Sequence, residues 1–384
     1  MSSSPVPPPD LGIPLSTSTV SISIINTTTT ISGLASSIFY VPSISGAEKM
    51  SCPAFSFLIR HPSNRSLLFD LGVRPDHSKE DVLPPALISR ITKMGAEITV
   101  EKGVRQILEE GGFDAKQLEA VIWSHWHFDH VGDPSTFEPH TALIVGPGFK
   151  SRVGPGYPAN PEATFLESDY AGRELREISF EEEGVVEIGE FKAFDYFGDG
   201  SFYLLDTPGH AIGHLSGLAR VTSNPDSFIF MGGDACHHVG ELRPSQYLPL
   251  PPNISPNPFT CLTSPSTPCP GSLFSPLLPD GDNTKPFYGL SNTGSHFDVD
   301  EAAKTIEKIQ GADVREDVLV VLAHDNSLTG VVDFFPQTAN SFMEKGWVKK
   351  LRWLFLREFG KAVGYEREVE GLSDEWLKWN AWKN

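Results

Sequence analysis

Cysteine is scarce: the 384 residues hold only Cys52, Cys236, Cys261 and Cys269, and no two form a C-x-x-C pair. Free thiols in a reduced compartment are the expectation. No stretch approaches the roughly 18 consecutive apolar residues that span a bilayer. No Lys or Arg precedes Lys49, so the start lacks the charged region of a signal or transit peptide. Together these point to the cytoplasm, with no membrane partner. Basic residues are few beside acidic ones, 30 Lys and Arg against 49 Asp and Glu, for a net charge of −19. That excludes nucleic acid as an expected partner, because phosphate binding needs clustered cations, and it weighs against a strongly anionic substrate. There is no G-x-S-x-G elbow to carry a serine nucleophile. What remains is ordinary for a folded enzyme-sized chain, 39% hydrophobic and 21% charged, long enough for one large domain or two smaller ones.

Residues 1–18 are rich in Ser and Pro, and the composition predicts disorder there. Strand patterns follow. Val20, Ile22 and Ile24 alternate with serines, residues 38–41 read as a second strand, and 54–59 with 66–70 read as a hairpin turning at 61–64. Residues 83–111 are helical in character, ending at Gly111-Gly112. Apolar runs at 120–123 and 142–145 read as buried strands, and candidates recur at 185–188, 191–197, 202–205, 228–231 and 318–323, with a helix over 300–310. Two successive β-rich halves with helices attached predict an α/β chain in which two mixed sheets pack face to face, helices outside, an αββα sandwich over 19–335. Residues 244–286 hold twelve of the 32 prolines and are expected to be an irregular insertion. Residues 336–384 are expected to form a helical extension packed on the domain. Within it a basic, aromatic helix over 339–361 places Val348, Leu351, Phe355 and Phe359 on one face.

The densest chemistry lies in Ser124-His125-Trp126-His127-Phe128-Asp129-His130. Four metal-capable side chains leave the end of the 120–123 strand. With period-2 alternation His125 and His127 point the same way, and Asp129 and His130 follow as the chain turns. Imidazole and carboxylate together suit zinc, iron or manganese. Downstream candidates also sit where strands run into loops: Thr207-Pro208-Gly209-His210 through His214, then Asp234 after the 228–231 strand, and His324 after 318–323.

With Asp70 in Leu68-Phe69-Asp70-Leu71-Gly72, these five motifs, in this order, resemble the metallo-β-lactamase superfamily. The resemblance implies the metallo-β-lactamase fold and two metal ions per chain, zinc in preference to iron or manganese. By resemblance, His125, His127 and His214 hold the first ion, Asp129, His130 and His324 the second, and Asp234 bridges them. His210 then only supports the turn, and Asp70 fixes the cluster loop through hydrogen bonds. The implied reaction is a hydrolysis in which a hydroxide bridging the metals attacks a carbonyl, one metal polarises its oxygen and the other stabilises the leaving atom. Asp129 would also handle the proton.

The approach to the cluster, residues 55–76 and 83–111, resembles the lactonase-like branch, whose relatives open N-acyl homoserine lactones and other cyclic esters or amides. A small-molecule lactone or lactam is therefore the expected substrate. Where bacterial lactonases place a tyrosine near the bridging Asp, this chain has Asp234-Ala235-Cys236-His237-His238, and His237 is the candidate donor to the carbonyl oxygen. The alternative is a thioesterase acting on an acyl-carrier or glutathione thioester, with Arg152 and Arg243 as candidate partners for the peptide carboxylates. An iron oxidoreductase on the same fold, a nucleic-acid hydrolase and a non-enzymatic binding protein are weaker readings. The intact ligand set, the acidic charge and the absence of a following flavin domain each count against one of them. No sequence feature fixes an oligomeric state.

Overall fold

A computed structural model describes residues 5–79, 82–181, 184–260 and 267–365. Alternating side chains build two sheets. The first has seven strands in the order Glu97–Thr99, Ser21–Ala35, Lys49–Arg60, Ser66–Phe69, Ala120–Ile122, Ala142–Val145 and Leu175–Glu177. Its first four strands pair antiparallel and its last four parallel. The second sheet has six, ordered Val318–Val321, Asp226–Met231, Leu215–Ser223, Phe202–Asp206, Phe191–Asp195 and Val186–Ile188. Only its pair of strands at 226–231 and 318–321 is parallel.

Period-2 burial sorts these strands into layers. Ile22, Ile24, Phe57, Ile59, Leu67, Phe69 and Ile122 face the second sheet and meet Phe202, Leu204, Ile229, Met231 and Val321 in one core. The intervening Ile25, Leu58, Leu68 and Val121 face outward, under Val104 and Leu108 of the helix Val104–Glu110. On the second sheet Phe228, Phe230, Val318 and Val320 face outward against Ile306, Ile309 and Ala312 of the helix Val299–Asp313. The αββα sandwich is therefore present, with helices on both outer faces.

Several local expectations are corrected. The 83–111 stretch is two helices, α1 (Pro85–Met94) and Val104–Glu110, separated by the edge strand Glu97–Thr99; Gly95, with φ 69°, stops α1 in the left-handed conformation. Residues 5–18 have no regular secondary structure, but they are anchored rather than disordered. Leu11 is buried, Arg220 donates to the Pro14 carbonyl at 2.6 Å, and Ser16 donates to that of Asp199 at 2.5 Å; residues 1–4 lie outside the described residues. Of the 244–286 segment, the described residues 244–260 and 267–286 are irregular but packed: Leu250, Ile254, Phe259, Phe274 and Leu278 are buried in the outer core of the second sheet. The 339–361 helix is broken into Trp347–Leu351 and a tight turn over Leu354–Phe359. Leu351 enters the core between the sheets while Phe355 and Phe359 enter the outer core, two targets that no single helix face can reach. The expectation for 366–384 lies outside the described residues.

Candidate metal centre

Strand ends bring the site together. Asp70 follows the strand Ser66–Phe69 and adopts φ 61°. Its Oδ1 accepts from the Ser124 amide at 2.7 Å and its Oδ2 lies 2.8 Å from His130 Nδ1. That contact places a proton on His130 Nδ1 and aims Nε2 into the site. His324 is fixed the same way: Nδ1 donates to the Pro53 carbonyl at 2.7 Å, and Nε2 lies 3.4 Å from Asp129 Oδ2 and 3.1 Å from Asp234 Oδ1. Asp129, His130, Asp234 and His324 form one buried group of convergent donors.

A second group consists of His125, His127, His210 and Asp234. His210 Nε2 stands 3.1 Å from His125 Nε2 and 2.9 Å from His127 Nδ1. Asp234 belongs to both groups, with Oδ1 toward His130 at 3.1 Å and Oδ2 toward His210 at 3.6 Å and His125 at 3.8 Å.

The structure groups His210, and not the expected His214, with His125 and His127. Both ring nitrogens of His214 are already engaged. Nδ1 donates to the Thr207 carbonyl at 3.0 Å, and Nε2 accepts from the Asp234 amide at 3.1 Å. His214 thus holds the backbone that carries Asp234. His210 sits at the tip of the turn because Gly209 has φ 123° and approaches the helix Val299–Asp313 so closely that a Cβ there would lie 2.2 Å from the Ala302 nitrogen.

The electrostatics differ between the groups. Burial, the main cause, holds His125, His127 and His210 well below the usual imidazole pKa, so neutral rings with free lone pairs are favoured. Burial opposes the charged form of His130 and His324 too, but Asp234 outweighs it, joined by Asp70 and Asp129 at His130, and both rings are held well above the usual value. Asp234 is held well below the carboxylate range: His130 and His324 overcome the effect of burial. The donor chemistry fits divalent metal binding. His130 Nε2 and Asp234 Oδ1 are buried and 3.1 Å apart without hydrogen-bond geometry, so both face a common point rather than each other.

His237 also reaches the site, 3.5 Å from Asp234 Oδ2, and neither of its ring nitrogens makes a hydrogen bond. His296, which no sequence signal marked, packs on it at 5.1 Å and on His210 at 5.5 Å. His238 instead caps the turn at 239–241 by accepting from the Gly240 amide. Arg243 is buried and ion-paired to Asp313, and Arg152 lies over Phe297; neither lines the cavity above the donors. That cavity has a volume of ≈ 520 Å³ and is walled by apolar side chains including Ile31, Leu34, Phe39, Met50 and Leu87. Among the described residues no helix is long and apolar enough to cross a membrane.

Residues 51–222 match the family model described as the metallo-beta-lactamase superfamily. The chain is 45% identical to Gamma-lactamase FDB1 of Fusarium pseudograminearum (strain CS3096), over 94% of this chain and 87% of that protein. It is 44% identical to Cytochrome P450 monooxygenase mpaDE' of Penicillium brevicompactum over 93% of this chain; the match spans only 39% of that longer protein. Among solved structures, a quorum-quenching N-acyl homoserine lactone lactonase superposes with a TM-score of 0.52 at 17% identity, covering 84% of this chain and 100% of that one, a likeness of fold.

Proposed function

The chain belongs to the metallo-β-lactamase superfamily and is a metal-dependent hydrolase, and on that premise we propose that it opens a cyclic ester or cyclic amide at a centre of two zinc ions. The observation that carries the reading is the pair of donor groups sharing Asp234 at the floor of an apolar-walled cavity. The names of relatives, a gamma-lactamase among them, point to the same bond type. In this reading His125, His127 and His210 hold one ion, Asp129, His130 and His324 the other, and Asp234 both. Bound there, the ions supply Lewis acidity toward a carbonyl and acidify water.

The chain's own residues do the rest. Asp234 couples the two groups and sets their spacing. Asp70 and the Pro53 carbonyl orient His130 and His324. Asp129, at the cavity edge of its group, is placed to pass a proton to the leaving oxygen or nitrogen. His237 lines the cavity with unpartnered nitrogens and donates to the carbonyl oxygen as charge develops there. The apolar walls keep bulk water from the opened ring.

Metal analysis together with a substrate panel tests this. The expected result is two zinc ions per chain and turnover of a lactone or lactam in preference to a thioester. A zinc-loaded protein that hydrolyses only the thioester, or that holds one ion, would overturn it.

A further inference from the structure

The cavity is not uniformly apolar above its floor. One face of α1 supplies Leu87, Arg90 and Met94 to its wall, at the spacings of three and four that align on a helix, and Lys93 joins them at the rim. We propose that Arg90 is an anion subsite, so that the substrate is a cyclic ester or amide carrying a carboxylate at a distance from the bond that breaks. This rests on the hydrolase reading above.

Three observations support it. Arg90 is the one arginine among the described residues with no hydrogen-bond, ion-pair or ring partner. The others are engaged, as in Arg65 with Glu119, Arg74 with Asp133, Arg105 with Glu138, Arg220 with Asp226 and Arg315 with Asp317. Acids are not in short supply, since they outnumber Lys and Arg 49 to 30. Arg90 also lines the same cavity as His127 and His210, so the guanidinium borders the space above the first histidine group. Finally, a planar guanidinium matches a carboxylate with two parallel hydrogen bonds, and the apolar wall between it and the floor suits a flat ring system. The negative net charge weighs against anionic ligands only through the long-range field, which salt screens beyond about 8–10 Å; Arg90 is exposed at the cavity's edge, and an unpaired cation there acts at contact.

The experiment uses the zinc-loaded chain with dihydrocoumarin and a dihydrocoumarin carboxylic acid, and Arg90→Gln and Arg90→Lys beside the wild type. The acid should be the better substrate. R90Q should lose about 10- to 100-fold in kcat/KM on the acid, mostly through KM, the value of one charge-assisted interaction, while the neutral lactone changes less than about twofold, and R90K should recover part of the loss. Chroman carboxylate, which has no bond to hydrolyse, should inhibit the wild type more tightly than R90Q. Equal losses on both lactones would assign Arg90 to the carboxylate that ring opening creates and would overturn the subsite, as would no loss on either. Turnover of the neutral lactone without any preference for the acid sinks this inference alone; failure to open either lactone sinks the hydrolase reading and the subsite with it.

Discussion

At the floor of the cavity three of the ring nitrogens turned away from the site have partners, Asp70 for His130, the Pro53 carbonyl for His324 and the Ser124 hydroxyl at 3.0 Å for His125, while His210 Nδ1 has none. The wall is held differently. Leu34, Phe39, Met50 and Met94 are placed by apolar contact, and the exposed Arg90 borders the same space unpaired. A hydrogen-bonded floor fixes direction to within a bond angle, which metal chemistry demands. An apolar wall fixes only volume, which substrates can share. The reaction type is thus written in a few directional contacts, and the substrate in many weak ones.

The comparison is broken most severely at the residue both donor groups share. Asp234→Asn keeps the size of the side chain but removes its charge. Activity should fall on the order of 10³-fold, and metal analysis should show fewer than two ions per chain while circular dichroism stays unchanged. Turnover near wild type would remove Asp234 from its bridging role.

Next in size is the pair of histidines in one turn. His210→Ala should lose one of two metals and most activity. His214→Ala should retain both metals and instead lower stability by about 1–3 kcal/mol, the cost of leaving the Asp234 amide and the Thr207 carbonyl without their partner. Metal stoichiometry and denaturant melts on both variants decide it; the opposite pattern would restore His214 as a ligand.

That turn also shows where the sequence stops being legible. The floor could be read because its ligands stand at the ends of apolar strands, at short spacings. His210 and His214 share one such segment, and what separates them is non-local: Thr207 and Asp234 occupy both nitrogens of His214, and Asp234 is twenty residues away in sequence. The strand Leu215–Ser223 was missed because it is buried almost throughout, including Arg220, so it shows no alternation. The sandwich was legible from period-2 patterns, whereas the packing of 244–286 and the broken C-terminal helix depend on an outer sheet face that no local pattern reveals. His296 stands in a Ser/Gly loop with no spacing to mark it.

A smaller effect belongs to the supports of the floor. Asp70→Asn should keep the Ser124 contact but weaken the hold on the His130 Nδ1 proton, costing about 10- to 100-fold in affinity for one metal. Metal-buffered titration should show one site weakened and the other unchanged; two equally weakened sites would mean that the whole loop has moved.

The least effect on turnover and the clearest on stability comes from the wall side, where Asp169 is buried beside a small hollow lined by Leu87 and Phe128. Burial raises its pKa to about 7; the Leu166 amide on its Oδ2 and Arg74 at 4.0 Å only partly offset this. The carboxyl therefore binds its proton more tightly in the folded chain than in the unfolded one. Between about pH 4 and pH 7 the folded state holds more protons, so this group's contribution to stability falls as pH rises through that window and stays low above it. Asp169→Asn removes the dependence. It should raise the thermal midpoint more at pH 8 than at pH 5, by a few degrees, for a difference on the order of a few kcal/mol, with kcat unchanged. An equal shift at both pH values would mean that Arg74 keeps Asp169 charged throughout, making this part of the wall as electrostatically organised as the floor.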